Sequence, residues 1–283
     1  MTRSADISPL SVLLSRVDAV SDGAPSRDTI PCGFPSLDKM LGGGFRRGDL
    51  VVLGGDVGSG KSALALAVAI RAAFQPSRVA FLTAEASVER VLERVIAIEA
   101  RARIDDLRNG TLDEVARANA GAVALRLRDH LPIVERISGH SVAELETQLH
   151  ALPEVDLVVL DSMTALAGGQ RDLDEELSVV VRRLKALALD HHVAIMTTAP
   201  LPHLVARPDR RPTLDDFGAL GSVKQHADVV LGLFRQDMYE PARDIEGATE
   251  LFVRKNRNGP TGYIDLYFYA QWMRFEDMLD PDR

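Results

Sequence analysis

The chain is poor in cysteine: Cys32 stands alone among 283 residues. No disulfide can form within it, which suits a reducing compartment, and a cytoplasmic location is expected. Long apolar runs are also missing. None approaches the roughly 20 residues that a membrane-spanning helix needs, so no membrane partner is expected. The first six residues show no basic stretch leading into an apolar core, so no secretory signal is expected there. Basic residues are in deficit, 33 against 41 acidic ones, for a net charge of −8. That balance excludes a monomer that coats itself in nucleic acid through a broadly basic surface. It leaves open contact by a few local arginines lining a pore. The seven histidines show no metal-ligand spacing, and His191-His192 reads as a pair at a helix C-terminus rather than as ligands. Internal repeats and low-complexity stretches are absent as well.

What remains is the composition of an ordinary globular protein, 46% hydrophobic and 26% charged. The length suits one large α/β domain or two small ones. Residues 8–20 place Leu10, Leu13, Leu14, Val17 and Val20 on one helical stripe. A linker-like stretch rich in Ser, Gly and Pro follows. A lone amphipathic helix cannot bury its stripe by itself, so this segment must dock on its own domain or on a neighbouring subunit. We therefore divide the chain into a helix and tether over 1–29 and a folded domain over 30–283.

Within that domain apolar strand-like runs alternate with helical patterns. The strands are expected at 50–53, 79–82, 133–134, 157–160, 193–196 and 229–233. The helices are expected at 62–73, 88–102, 112–126, 142–152 and 173–189. Continuous apolar strands interleaved with helices predict a mostly parallel sheet covered on both faces. Residues 250–254 and 263–269 flank a Gly-Pro-Thr-Gly turn and predict an antiparallel edge at the end of the chain. The stretch 199–214, with four prolines and three arginines, reads as a long loop.

One segment carries a specific chemistry. Gly55-Asp56-Val57-Gly58-Ser59-Gly60-Lys61-Ser62 matches the pattern G-x-x-x-x-G-K-[ST] in full, between a strand and the helix expected from Ser62, whose Ala63 is counted with the nucleotide-binding residues. The glycines let backbone N–H groups turn toward phosphate oxygens. Lys61 supplies a point charge for the outer phosphates, and the Ser62 hydroxyl is a ligand for Mg²⁺. The helix adds the positive end of its dipole. ATP and Mg²⁺ are the expected ligands. Asp161 closes the run Leu157-Val158-Val159-Leu160 and would face the ligand crevice as a metal-side acid, or simply cap the strand. Glu85 follows another strand among small neighbours. It can polarise an attacking water, or it can be an acid in the first turn of a helix. Lys255 and Arg257 fall two apart on a strand end and so share one side, where they could reach a neighbour's γ-phosphate or serve as a solvated edge.

These residues carry a family resemblance. The chain resembles the C-terminal ATPase domain of DnaB-type replicative helicases, within the wider RecA-like group that includes RadA and KaiC. The resemblance runs over residues 30–277. It is carried by Cys32-Gly33-Phe34-Pro35-Ser36-Leu37-Asp38, the phosphate loop, Thr83-Ala84-Glu85-Ala86-Ser87 and Asp161-Ser162. Its most specific parts are Gly221-Ser222-Val223-Lys224-Gln225-His226-Ala227-Asp228-Val229-Val230 and Lys255-Asn256-Arg257-Asn258-Gly259-Pro260-Thr261-Gly262. The resemblance implies a ring, usually a hexamer, with ATP at subunit interfaces. It implies Glu85 as the base, Lys61 and Ser62 on phosphate and Mg²⁺, Asp161 on the metal side, and Lys255 and Arg257 acting in trans. It also implies single-stranded DNA and replication proteins as partners, and a linker helix at 8–20 that packs on the adjacent subunit. No counterpart of the family's N-terminal helical domain is expected in this sequence.

Some positions depart from the family pattern. Pro200 stands where a γ-phosphate-sensing Gln is usual, and proline has neither N–H nor amide. Asp216-Phe217-Gly218-Ala219-Leu220-Gly221 lacks the usual Arg and Glu, and Ser162-Met163-Thr164 replaces a Tyr-Leu-Gln. The hydrolysis residues are thus complete while those that couple hydrolysis to DNA are altered. A DNA motor would use Arg207, Arg210, Arg211 and Lys224 as phosphate contacts. The alternatives are a KaiC- or RadA-like regulatory or assembly ATPase without unwinding activity, and an accessory ATPase that docks through 8–20.

Overall fold

The computed structural model describes residues 8–22, 28–137, 139, 141–201, 204, 208–240 and 245–278. The amphipathic segment forms helix α1 (Pro9–Ser21), whose Leu10, Leu13, Leu14 and Val17 are all more than half exposed. The tether that follows lies outside the described residues. A two-stranded ribbon, β1 (Thr29–Ile30) with β2 (Phe45–Arg46), encloses α2 (Pro35–Met40).

The body then proceeds as β3 (Leu50–Gly55), α3 (Lys61–Ala73), β4 (Val79–Thr83), α4 (Val88–Ala100), α5 (Ile104–Asn109) and α6 (Glu114–Leu127). It continues through β5 (Ile133–Arg136), α7 (Val142–Ala151), β6 (Leu157–Asp161), α8 (Leu173–Asp190) and β7 (Ala194–Pro200). It ends with α9 (Ser222–His226), β8 (Val229–Arg235), β9 (Ala248–Asn256), β10 (Gly262–Tyr269) and β11 (Arg274–Asp277). One nine-stranded sheet has the order β11-β10-β9-β8-β3-β7-β6-β4-β5. The six strands from β8 to β5 are parallel, and β9 to β11 add in antiparallel fashion. The parallel sheet and its antiparallel edge are those expected from the sequence.

Alternation of side chains sorts the apolar strands into two cores. Val51, Leu53, Phe81, Val159 and Met196 face one, under α3, α4 and α6. Leu50, Val52, Leu82, Leu160 and Ile195 face the other, under α7, α8 and α9. Helix α3 is buried nearly all round, from Leu64 to Ala73, because it lies between the sheet and its own layer of helices.

Among the differences from expectation, two have a plain physical reason. The helix expected over 88–102 stops at Ala100, because Arg101 turns left-handed at φ 53° and the Ala102 N–H reaches back to the Ala97 carbonyl at 3.1 Å. This is a Schellman closure made without the usual glycine, so no stop signal is visible in the sequence. Strand β11 is short and follows a turn at Met273 (φ 53°). It is held by pairing with β10 and by Phe275, which stacks on Phe268.

Candidate nucleotide site

The strand order places β3 beside β7 and β8, whereas the next strand in the chain, β4, lies further along the sheet beyond β7 and β6. Such a crossover opens a crevice at the carboxyl ends of the strands, where open α/β sheets bind ligands. A cavity of about 440 Å³ lies there. Its wall includes Gly58, Gly60, Lys61, Ser62, Glu85 and Asp161, so the residues predicted for phosphate, metal and base work converge on one space.

The phosphate loop is shaped by its glycines. Gly60 sits at φ +99°, and a Cβ there would come within 2.9 Å of the Phe275 ring. Gly55 has no room either: a Cβ would meet Ser59 Oγ at 2.7 Å. Asp56 organises the loop from within. Its carbonyl accepts from Lys61 Nζ at 2.7 Å and from the Ser59 N–H at 3.2 Å, and its carboxylate accepts from the Val57 N–H and from the Tyr239 hydroxyl. Val57 is exposed at the tip, and Ala63 follows in the first turn of α3. Ser59 Oγ is buried without a hydrogen-bond partner.

Asp161 is buried at the end of β6 and accepts from Ser62 Oγ at 3.1 Å and from Thr198 Oγ1 at 2.7 Å. Glu85 lies two residues before Ser87, whose side chain caps α4. The first-turn acid of that helix is Glu89, so Glu85 is not a helix-terminal acid. Its Oε1 accepts from Ser162 Oγ at 3.3 Å, and Ser162 in turn bonds Thr164. Burial pulls the Lys61 ammonium below its usual range, while Asp56, Asp161 and Glu85 oppose that shift.

A divalent cation fits this set of groups. Two carboxylates and a serine hydroxyl meet beside a loop built for phosphate, and a polyphosphate would add more negative charge than Lys61 and Arg94, the cations lining the cavity, can balance. Ser62 and Asp161, joined by the 3.1 Å hydrogen bond, are the residues that would hold it. Pro200 ends β7 beside Gly55 and also lines the cavity. It offers no side-chain polar group there.

Lys255 and Arg257 are brought together, but elsewhere. Arg257 lies in the turn just past β9, and both side chains donate to the Gln225 carbonyl, at 3.3 and 3.1 Å. Arg257 Nε also pairs with Asp228 at 3.3 Å, and Asp228 accepts from the Leu50 N–H at 2.8 Å. That anchors the pair at the start of β3, while the phosphate loop leaves its end. The two lie a strand length apart, ~17 Å at the usual rise. Neither cation lines its own cavity.

The residues proposed for nucleic acid do not form one cluster. Arg207 lies outside the described residues. Arg210 stacks on Tyr239 at 4.4 Å, and Arg211 makes a two-pronged contact with Glu250 at 2.8 and 2.6 Å. Both are at the phosphate-loop end of β8. Lys224 pairs with Asp215 at 2.7 Å and lies near Lys255, at the other end of the sheet.

Sequence reasoning missed Thr198, Arg94 and Tyr239. Thr198 was visible only as a polar residue near the carboxyl end of an apolar strand. Arg94, on α4, lines the cavity with its Nε buried and unpaired. Nothing in the sequence ties Tyr239 to a loop 183 residues away.

Fold and cavity together define a RecA-like α/β domain with a phosphate loop at the carboxyl ends of its parallel strands. The particular family is the DnaB-like helicase C terminal domain, to which the chain belongs: that family's model matches residues 29–277. The replicative DNA helicase DnaC of Bacillus subtilis is 28% identical over 257 residues, covering 88% of this chain and 56% of the relative. The replicative DNA helicase DnaB of Leifsonia xyli is 28% identical over 276 residues, covering 95% and 60%. The chain thus spans rather more than half the length of these relatives. Among solved structures, an isolated ATPase domain superposes with a TM-score of 0.85 at 22% identity, over 97% of this chain and 99% of that one. A DnaB-like replicative helicase, described with its interactions with primase, gives 0.83 at 21%, over 94% and 65%. Among the described residues no helix is long and apolar enough to cross a membrane.

Proposed function

We propose that this chain hydrolyses ATP in a ring of identical copies and uses the cycle to move on single-stranded DNA. The observation that carries this reading is the division of the machinery. The phosphate loop, Asp161 and Glu85 share one cavity, while Lys255 and Arg257 are presented together at the opposite end of the same sheet. A neighbour in a ring brings that end against the cavity.

In this reading the loop N–H groups and Lys61 bind the phosphates, and Glu85, oriented by Ser162, aligns the attacking water and takes its proton. Ser62 and Asp161 would hold Mg²⁺, which would supply positive charge to the outer phosphate oxygens. The neighbour's Lys255 and Arg257 stabilise charge on the transferring group, an effect worth ~10³ or more in rate. The exposed apolar face of α1 docks on the adjacent copy. Arg210, Arg211 and Lys224 are the DNA-facing candidates among the described residues. Replication proteins belong to the same reading, since the matched relatives are named replicative helicases.

The test is the ATPase rate with and without single-stranded DNA across a salt series. The proposal expects stimulation that fades as salt rises, because phosphate contacts release counterions. No stimulation at low salt would contradict a DNA motor.

A further inference from the structure

At the other end of the sheet, away from the cavity, three side chains form a cluster that the nucleotide chemistry does not use. Glu146 and His150 lie one turn apart on α7, and His191 caps the C-terminus of α8. Their ligand atoms all lie within 4.8 Å of one another. The two imidazoles meet edge to face at 4.6 Å, and His191 Nε2 is 3.9 Å from Glu146 Oε1.

We propose that Glu146, His150 and His191 form a binding site for a borderline divalent transition metal, Zn²⁺ before others. Two imidazoles and one carboxylate are a donor set that suits Zn²⁺ and leaves a position for water. Mg²⁺ and Ca²⁺ prefer oxygen donors alone. The orientation of His150 supports ligation. Its Nδ1 lies 2.8 Å from the Glu146 carbonyl, which can only accept, so Nδ1 carries the proton and Nε2 keeps its lone pair for a metal. The field is favourable too. His150 is in the last turn of α7 and His191 is the C-cap of α8, so the negative ends of two helix dipoles converge on the cation. Ligand atoms around tetrahedral Zn²⁺ stand about 3.3–3.5 Å apart. The remaining contraction, up to about 1.4 Å, falls on exposed Glu146 and His150, whose side chains can turn without disturbing the core. The pattern escapes sequence reading because the two histidines are far apart in the chain.

A bound ion would clamp α7 to the end of α8. These elements lead into β6 and β7, the strands that carry Asp161 and Thr198.

The experiment is a titration of the full chain, free of purification tags and nucleotide, with Zn²⁺ against a chromophoric competitor in excess Mg²⁺. Co²⁺ absorption serves as a second probe. The proposal expects one equivalent bound, a tetrahedral Co²⁺ spectrum and a higher melting temperature with Zn²⁺. His150→Ala and His191→Ala should each weaken binding by roughly tenfold or more. Exposed His192→Ala should bind as wild type, and all three variants should keep the wild-type circular dichroism and affinity for ATP. Absence of a stoichiometric site in excess Mg²⁺ would overturn the assignment. So would unchanged affinity in the His150 and His191 variants, or equal loss in the His192 variant.

Discussion

Replacing Asp228 by Asn tests whether the far end of the sheet is built as a rigid platform. Asp228 is 2% exposed, and it accepts from the Leu50 N–H at 2.8 Å and from Lys185 Nζ at 2.6 Å. Lys185 is largely buried itself and also donates to the Gly48 carbonyl at 2.7 Å. The substitution removes that ammonium's directly bonded counter-charge and leaves only the field of nearby Asp49. Breaking a buried pair from one side costs about 3–5 kcal/mol. In a domain of this size that corresponds to a fall in melting temperature of roughly 6–20 °C. The pairing of Arg257 is half-exposed and adds little to this figure. Removing both charges, with Asp228→Asn and Lys185→Met together, should recover most of the loss, because no uncompensated charge remains. The assay is equilibrium urea unfolding of the two variants and the wild type. A single variant within about 1 kcal/mol of wild type, or a double variant no better than the single, would refute the pairing as the source of the effect.

Three further outcomes follow from the same geometry. Glu85→Gln should abolish turnover while leaving ATP affinity within a few-fold of wild type, read by single-turnover hydrolysis and by equilibrium binding; normal turnover would remove Glu85 from the mechanism. Burial, reinforced by the charge of Asp228, pushes the Asp49 carboxyl up to about 6. The folded state therefore holds that proton more tightly than the unfolded chain, and the stability it contributes at low pH is lost as pH rises from about 4 toward about 6. Asp49→Asn should flatten that slope in melting-temperature profiles, and an unchanged slope would show that the loss arises elsewhere. Thr198→Val keeps the shape of a buried side chain but removes the 2.7 Å bond to Asp161. It should raise the Mg²⁺ concentration needed for half-maximal ATPase, and an unchanged requirement would show that Thr198 does not help position the carboxylate.

The parts of this protein that could be read from its sequence are those in which a short segment carries its own geometry. The phosphate loop states its turn through Gly58 and Gly60, and the apolar runs of β3, β4 and β6 state their burial on both faces of a sheet. Contacts between distant segments could not be read. The partnership of Asp228 with Lys185, the bond from Tyr239 to Asp56 and the approach of Ser162 to Glu85 all depend on the packing of whole elements. Local backbone events hid as well, since Arg101 and Met273 adopt left-handed conformations at residues that rarely do so. The period-two rule placed Lys255 and Arg257 on one side. They do meet, although Arg257 lies in a turn beyond the strand and reaches its position through Asp228 and the Gln225 carbonyl.

In the proposed ring one copy's cavity is completed by another copy's cations, and subunit mixing measures that sharing most directly. Arg257→Ala retains an intact phosphate loop, and Lys61→Ala retains intact cations. Each variant alone should hydrolyse ATP at a small fraction of the wild-type rate. Mixed in equal amounts, they should regain activity through the interfaces that pair a sound loop with a sound arginine. Wild-type hydrolysis by Arg257→Ala alone, or a mixture no more active than its parts, would contradict the account.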